Sequence, residues 1–393
     1  MNHLLVTQDF APDLGGMARR HVELARRFGD EDTIMSVSTV AAPSCGSFDS
    51  SEPYRIYRQP FPFQRANRLS NQIRWAQWLT SRRAPRFDVL HCGNIRPVGY
   101  AVRWTNRKLH TPYLVYVNGG DLLRERVKAS KSALKRRTAK SIFGNAAGIV
   151  ATSKWVAELA SSVMAQVGVE SPPSIAALDL GTDPVRFNPL RDTGALRRRW
   201  GVGDAPVIIT VARLVPHKGQ DMGIRAIAQL SRDFPQLRYI LVGEGHDEPR
   251  LRALARELGV MDRVGFVGPM RDDELPEAYA TSTIYLGASR VDREINVEGF
   301  GISFLEAAAS GVPSVGGDSG GVRSAVRDGE TGIVVPPTDP DAIADALRSL
   351  LLNPDKRNQM GKAARHAVET HYNWDRVARD TREFTYSVVP KAR

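Results

Sequence analysis

Two carboxylates separated by seven residues, Glu298 and Glu306, bracket Gly299-Phe300-Gly301 and the apolar run that follows. A helix beginning near Phe300 would turn its free N–H groups into an anion cradle beside Glu298. It would carry Glu306 about two turns further along. Carboxylates accept hydrogen bonds from sugar hydroxyls, so one could hold a sugar while the other holds a ribose. A plainer arrangement has Glu298 capping the helix electrostatically and Glu306 in solvent. The apolar neighbours Ile302, Phe304, Leu305 and Ala307–Ala309 argue against it, because a buried carboxylate requires partners. A second cluster lies in ARLVPHKGQD, where Arg213 and Lys218 share one loop. An arginine fork beside a compact ammonium suits a diphosphate, although two exposed loop charges would read the same. His217 between them reads as solvated. Near the amino end, Gly15-Gly16 stands between an apolar run and a helical pattern. Its missing side chains would let a phosphate or sugar approach the backbone, and a plain tight turn fits equally well.

The elements that must position these residues alternate along the chain. Strands are predicted at 4–6, 33–37, 88–90, 113–117, 148–151, 207–211, 238–242, 263–267, 283–286, 313–315 and 332–335. Helices are predicted at 17–28, 69–83, 153–166, 219–232, 248–258, 303–310, 341–352, 355–370 and 374–389. Such alternation implies an α/β protein with parallel sheets covered on both faces. Each candidate loop then follows a strand, at the carboxyl edge where open α/β sheets bind ligands. The pattern restarts after GTDPVRFNPL, 181–190, which reads as a linker. At roughly 100–200 residues per domain, 393 residues make two domains. These are expected at 1–185 and 191–372, with a terminal helix over 373–393.

Composition narrows the class further. The chain is 42% hydrophobic and 25% charged, the balance of a globular protein rather than a fibrous or disordered one. No apolar run approaches the ~20 residues of a membrane span, and MNHLLVTQDF lacks the basic flank of a secretory signal. A cytoplasmic location is expected. Cys45 and Cys92 are the two cysteines, too few for a disulfide framework or a cysteine zinc site. The net charge of +11 lies entirely in the first half. Residues 1–190 hold 26 Lys and Arg against 15 Asp and Glu, while the remainder holds 28 of each. One domain therefore faces an anionic partner. Arg124, Lys128, Lys131 and Lys135 recur at helical spacing. Arg74, Arg82 and Arg83 accompany Ile73, Trp75, Trp78 and Leu79. Both segments suit an interfacial helix on anionic lipid, or equally a solvated helix with a core face. No nucleic-acid motif accompanies the charge.

Five ordered segments together resemble the retaining family 4 glycosyltransferases of the GT-B fold: the Gly-Gly loop, ARLVPHKG, LVGEG, EGFGISFLE and SGGVRSAVRDGETGIVV. SRVDREINVEGFG is most similar to the phosphatidylinositol mannosyltransferase branch. The resemblance implies two Rossmann-like domains facing a cleft, with a C-terminal helix returning to the first. It implies that Arg213 and Lys218 hold the donor diphosphate, Glu298 the transferred sugar and Glu306 the ribose. Backbone groups of Phe300, Gly301 and Ile302 would lie near sugar and phosphate, Gly15 and Gly16 near the diphosphate, and Val267 and Met270 near the base. Where many relatives carry a histidine, this chain reads VNGGD, so Asn118 and Asp121 take the sugar or acceptor position. Asn118 can hydrogen-bond but cannot accept a proton.

The implied reaction moves a hexose from a nucleoside-diphosphate sugar to a hydroxyl acceptor with retention, without a metal or other cofactor. Asp30–Asp32 and Asp272–Glu274 read as helix-end and turn charges rather than metal ligands. GDP-mannose is favoured over UDP-glucose and UDP-N-acetylglucosamine. The acceptor is expected to be a lipid-linked or cell-envelope glycan, with the enzyme peripheral on the inner face of the membrane. A nucleotide-sugar epimerase would act without an acceptor, and a sugar phosphorylase would depend on inorganic phosphate. A nucleotide-sugar-binding scaffold would show no turnover.

Overall fold

The computed structural model describes residues 1–12, 15–28, 34–41, 45–60 and 68–389. Asp30–Asp32 lie outside the described residues. The chain divides into two compact units, Met1–Leu180 with Trp374–Arg393, and Gly181–Asn373.

The first unit contains seven strands: β1 (Asn2–Val6), β2 (Ile34–Val40), β3 (Ile56–Gln59), β4 (Val89–Cys92), β5 (Tyr113–Val117), β6 (Gly148–Ala151) and β7 (Ser174–Ala177). They form one sheet in the order β3-β2-β1-β4-β5-β6-β7, every pairing parallel. β5 and β6 are continuous apolar runs, as strands buried on both faces are. All five residues of β5, YLVYV, are buried. The final helix, Trp374–Val388, belongs to this unit. It buries Trp374, Val377, Ala378, Thr381 and Thr385. Phe384 approaches Gly148 so closely that a Cβ there would sit 2.9 Å from the ring. Arg27 Nε donates to Asp375 at 2.8 Å, and Arg376 Nη2 donates to the Asp179 carbonyl.

The second unit has six strands, β8 (Val207–Val211), β9 (Arg238–Val242), β10 (Val264–Gly268), β11 (Ile284–Gly287), β12 (Ser314–Gly317) and β13 (Gly332–Val335). Their order is β10-β9-β8-β11-β12-β13, again all parallel. Ile208, Leu241, Leu286 and Val315 from the sheet join Ile224, Ile227, Leu251 and Leu347 from its helices in one core. In both sheets the strand order reverses direction beside the first strand, between β1 and β4 and between β8 and β11. Those are the switch points where loops diverge and leave a crevice at the carboxyl edge.

Two strands and several helices depart from the sequence expectation. β3 (IYRQ) and β7 (SIAA) are sheet edges whose residues are mostly half-buried or exposed, so neither carries a continuous apolar run. Val98–Leu109, Gly120–Lys131 and Ala133–Gly144 are helices rich in charge. The helix expected to reach residue 83 ends at Leu79. There the Ser81 hydroxyl donates to the Trp78 carbonyl at 2.8 Å and accepts from the Arg83 N–H at 3.2 Å, local bonds that compete with helix continuation.

Candidate active site

In the second unit, the loop after β8 is built from close backbone contacts. Leu214 N–H donates to the Glu244 carbonyl at 2.9 Å. A turn of 3-10 helix, Pro216–Lys218, ends at Gly219 with φ 72°. A Cβ at Gly219 would lie 1.9 Å from the Ala288 carbonyl oxygen just beyond β11, so this position admits only glycine. Arg290 ties the loop from the same side. Its N–H donates to the His217 carbonyl at 2.8 Å, and its guanidinium donates twice to Asp221, at 2.9 and 3.0 Å. Asp221 in turn sits in the first turn of helix Gln220–Leu230, where its charge favours the helix dipole.

On this frame Lys218 and Glu298, 80 residues apart in sequence, meet in a salt bridge, Nζ to Oε2 2.5 Å. Both side chains keep partial exposure, 20% and 16%. Arg213 is exposed, and its guanidinium has no hydrogen-bond partner among the described residues. His217 is half-buried rather than solvated. Burial, with Lys218 and Arg213 alongside, lowers its imidazole pKa to about 4, so it is neutral near pH 7.

The Glu298 backbone is clamped by the loop after β12. Its carbonyl accepts from Gly321 N–H at 2.9 Å, and a Cβ at Gly320 would stand 2.2 Å from the same oxygen. Gly301, at φ 99°, then opens helix Ile302–Ala309. Phe300 is 2% exposed, with its ring 6.3 Å from Tyr372, leaving its backbone as the group that could meet a ligand. Phe304 lies against Gly287, where a Cβ would come within 2.5 Å of the ring, and against Gly301, where the gap would be 2.6 Å. Glu306 is buried and accepts from Tyr279 Oη at 2.7 Å, so it is neither solvated nor unpaired. Tyr285 Oη donates to Ser303 Oγ at 2.7 Å. Burial first, then the charges of Glu298 and Glu306, raise the Tyr285 phenol pKa. Val267 lies in β10 and Met270 just after it, both half-buried. Gly268 between them takes φ 73°.

The first unit presents its own cluster at the β1/β4 switch point. Thr7 Oγ1 donates to Asn94 Oδ1 at 3.0 Å, and Asn94 Nδ2 donates to the Asp9 carboxylate. His21 Nδ1 donates to the Asp9 carbonyl at 2.9 Å. Gly15 precedes helix Gly16–Arg27 in an extended conformation with open space around its Cβ position. Both Gly15 and Gly16 are exposed. After β5, Asn118 is half-buried. Asp121 accepts from the N–H groups of Asn118 and Leu122 at 3.0 and 2.9 Å, so one of its oxygens serves the start of helix Gly120–Lys131. Arg20, Asn94, Asp221 and Arg290 carry no signal in the sequence. Each is a polar residue whose role appears only once two distant loops meet.

The basic stripe is not one helix. Arg124, Lys128 and Lys131 lie on Gly120–Lys131, and Lys135 lies on Ala133–Gly144. Ser132 breaks them apart in an extended conformation and accepts from Lys135 N–H. All four side chains are exposed. The other expected interfacial segment is largely core. Trp75 is 0% and Leu79 1% exposed, and the Trp75 indole N–H donates to Ser38 Oγ at 2.9 Å. Among the described residues of these helices, Leu69 and Ile73 of Arg68–Leu79 and Leu134 of Ala133–Gly144 are the exposed large apolar side chains. Among the described residues, no helix is long and apolar enough to cross a membrane.

Comparison with known proteins matches each half. Residues 14–164 fit the model of Glycosyltransferase Family 4, and residues 192–367 fit that of glycosyl transferases group 1. The chain is similar to GDP-mannose-dependent alpha-(1-6)-phosphatidylinositol monomannoside mannosyltransferases from two sources. It is 29% identical to that of Mycobacterium tuberculosis over 388 residues, 97% of each chain. For that of Mycolicibacterium smegmatis the identity is 39% over 242 residues, 61% of this chain and 62% of the relative, less than two thirds of its length. The D-inositol 3-phosphate glycosyltransferase of Kribbella flavida is 31% identical over 405 residues, covering 94% and 90%. Among solved structures, sucrose-phosphate synthase from Thermosynechococcus elongatus shares the fold at a TM-score of 0.78, with 21% identity and both chains fully covered. The chain belongs to the family 4 glycosyltransferases, built on the GT-B fold, and is an enzyme that transfers a sugar.

Proposed function

We propose that the chain transfers a hexosyl unit from a nucleoside-diphosphate sugar to a hydroxyl of an anionic glycolipid, retaining the anomeric configuration. GDP-mannose is the first candidate donor, ahead of UDP-glucose and UDP-N-acetylglucosamine. The relatives named for GDP-mannose and phosphatidylinositol mannosides support this choice. The observation that carries the reading is the Lys218–Glu298 pair at the carboxyl edge of β8, beside the start of helix Ile302–Ala309. Glu298 holds the Lys218 ammonium in place, so the cation is oriented before a diphosphate arrives. Arg213, exposed in the same loop, adds a bidentate donor.

Charge grows on the diphosphate as its bond to the anomeric carbon breaks. Preorganised cations aimed at that charge lower the barrier most. The acceptor oxygen bonds to the same face of that carbon and gives its proton to the departing phosphate oxygen. Such a step consumes no protein base, consistent with an asparagine at 118. Glu298 and Glu306 would accept from sugar and ribose hydroxyls, with Val267 and Met270 beside the base. In the first unit, the exposed charges of Arg124, Lys128, Lys131 and Lys135, near exposed Leu134, fit peripheral docking on an anionic lipid surface.

A thermal-shift panel of the three nucleotide sugars, followed by product analysis with and without lipid acceptor, tests this reading. GDP-mannose at about a hundred times its Kd should stabilise the protein by about 2.7 kcal/mol. No shift with any of them, and no glycosylated product, would sink it.

A further inference from the structure

Helix Gly16–Arg27 carries Arg20 into the interior of the first unit, where it is 1% exposed. Its guanidinium lies 4.6 Å from the centroid of the Tyr116 ring. Nη1 donates to Asn118 Oδ1 at 3.3 Å. Nε and Nη2 are buried without a hydrogen-bond partner among the described residues, as is Oδ2 of Asp121. Burying a charge so sparsely paired is costly, and a residue needed only for packing would not carry it. Burial lowers the Arg20 pKa to about 10, with Tyr116 and Asp121 opposing, so the group stays cationic at neutral pH.

Arginine only donates, so the Asn118 atom facing it must be the carbonyl oxygen. The amide orientation is thereby fixed. Asn118 Nδ2 then points to Met17 Sδ, 3.2 Å away, in the first turn after the Gly15-Gly16 loop. A thioether is a weak acceptor, readily exchanged for a ligand oxygen. We infer that Arg20 is a positioning residue that commits the Asn118 carbonyl and leaves its N–H to donate to an oxygen of the transferred sugar or acceptor. The inference rests on the glycosyl-transfer reading and adds a direction to it: residue 118 gives a hydrogen bond and does not receive one. Asp121 supports the arrangement through the backbone, by accepting from Asn118 N–H.

The test is a double-mutant cycle on the full chain, using GDP-mannose and a phosphatidylinositol mannoside acceptor. Asn118→Asp keeps an oxygen toward Arg20 but loses the donor, and kcat/KM should fall about 30-fold. Arg20→Met frees the amide to rotate, with an expected loss of about 10-fold. Arg20→Met in the Asn118→Asp background should cost little more than Asn118→Asp alone, because the two residues act as one unit. Arg20→Lys, which retains a cationic donor, should recover activity to within about threefold of wild type. A merely structural role would lower the melting midpoint and multiply the two losses. If Arg20→Met does not fold, Arg20→Gln, whose amide can face Asn118 with either its oxygen or its nitrogen and so no longer fixes the orientation, takes its place in the cycle. Independent, multiplying effects in an active wild-type background overturn the positioning role alone. A wild type that neither binds nor turns over a nucleotide sugar overturns the reading beneath it, and the role with it.

Discussion

The two carboxyl edges handle charge in opposite ways. In the second unit two loop cations are paired and a third, Arg213, is exposed: Lys218 meets Glu298, and Arg290 grips Asp221 twice. In the first unit the edge hides Arg20, two of whose nitrogens have no hydrogen-bond partner among the described residues, and keeps His21 and His91 neutral by burial. A paired edge can release its cation to an arriving diphosphate at modest cost, since Lys218 and Glu298 both keep some contact with solvent. An unpaired, buried edge cannot rearrange cheaply, and that suits the fixing of one amide. The second unit is thus organised to meet charge, and the first to hold geometry.

The largest effect expected from breaking this contrast is at Lys218. Lys218→Ala should reduce turnover about 100-fold or more, as loss of a preorganised cation at a developing anion does. Steady-state transfer within about threefold of wild type would show that the paired edge plays no part in chemistry. The next effect is on stability and belongs to the first unit. Burial holds His21 near a pKa of about 4 and His91 well below its ordinary value, with His3 and His21 adding to the latter. Both are neutral when folded, whereas the unfolded chain binds protons below about pH 6.5. Unfolding therefore takes up protons, and stability rises with pH. The contribution is complete above about pH 6.5 and is lost progressively as pH falls below it. Calorimetry from about pH 7.5 to about pH 5 should show this slope, and His21→Asn should make it shallower. A flat profile would mean that these histidines titrate alike in both states.

The smallest effect concerns the basic surface. Arg124→Glu with Lys131→Glu should weaken co-sedimentation with anionic vesicles by about tenfold at low salt, less at physiological salt. Donor affinity should stay as in wild type. Equal sedimentation of wild type and variant would remove lipid docking by this surface.

Much of the architecture is legible in the residues themselves. Tyr113–Val117, Gly148–Ala151, Val207–Val211, Arg238–Val242 and Gly332–Val335 fall where their apolar runs place them. Helix Ile302–Ala309 lies within one residue of the 303–310 expected from its apolar run. β3 escapes such a reading because an edge strand of Ile-Tyr-Arg-Gln has no uninterrupted apolar face. The stripe at Arg124–Lys135 is legible as charge but not as two helices, because Ser132 looks ordinary until its extended conformation is seen. Trp75 and Leu79 fit a lipid-facing pattern and a core-facing pattern equally, since periodicity fixes a face but not what covers it.

Local chemistry along the chain determined the alternation of strands and helices, the loop that must carry Arg213 and Lys218, and the seven-residue interval between the carboxylates. These depend on neighbours a few bonds away, which a sequence states outright. Only the tertiary structure decided that Lys218 reaches Glu298, that Gly219 is pressed against Ala288, and that Arg20 is buried against Asn118. Each joins residues tens of positions apart, and the parallel crossovers between strands set those distances.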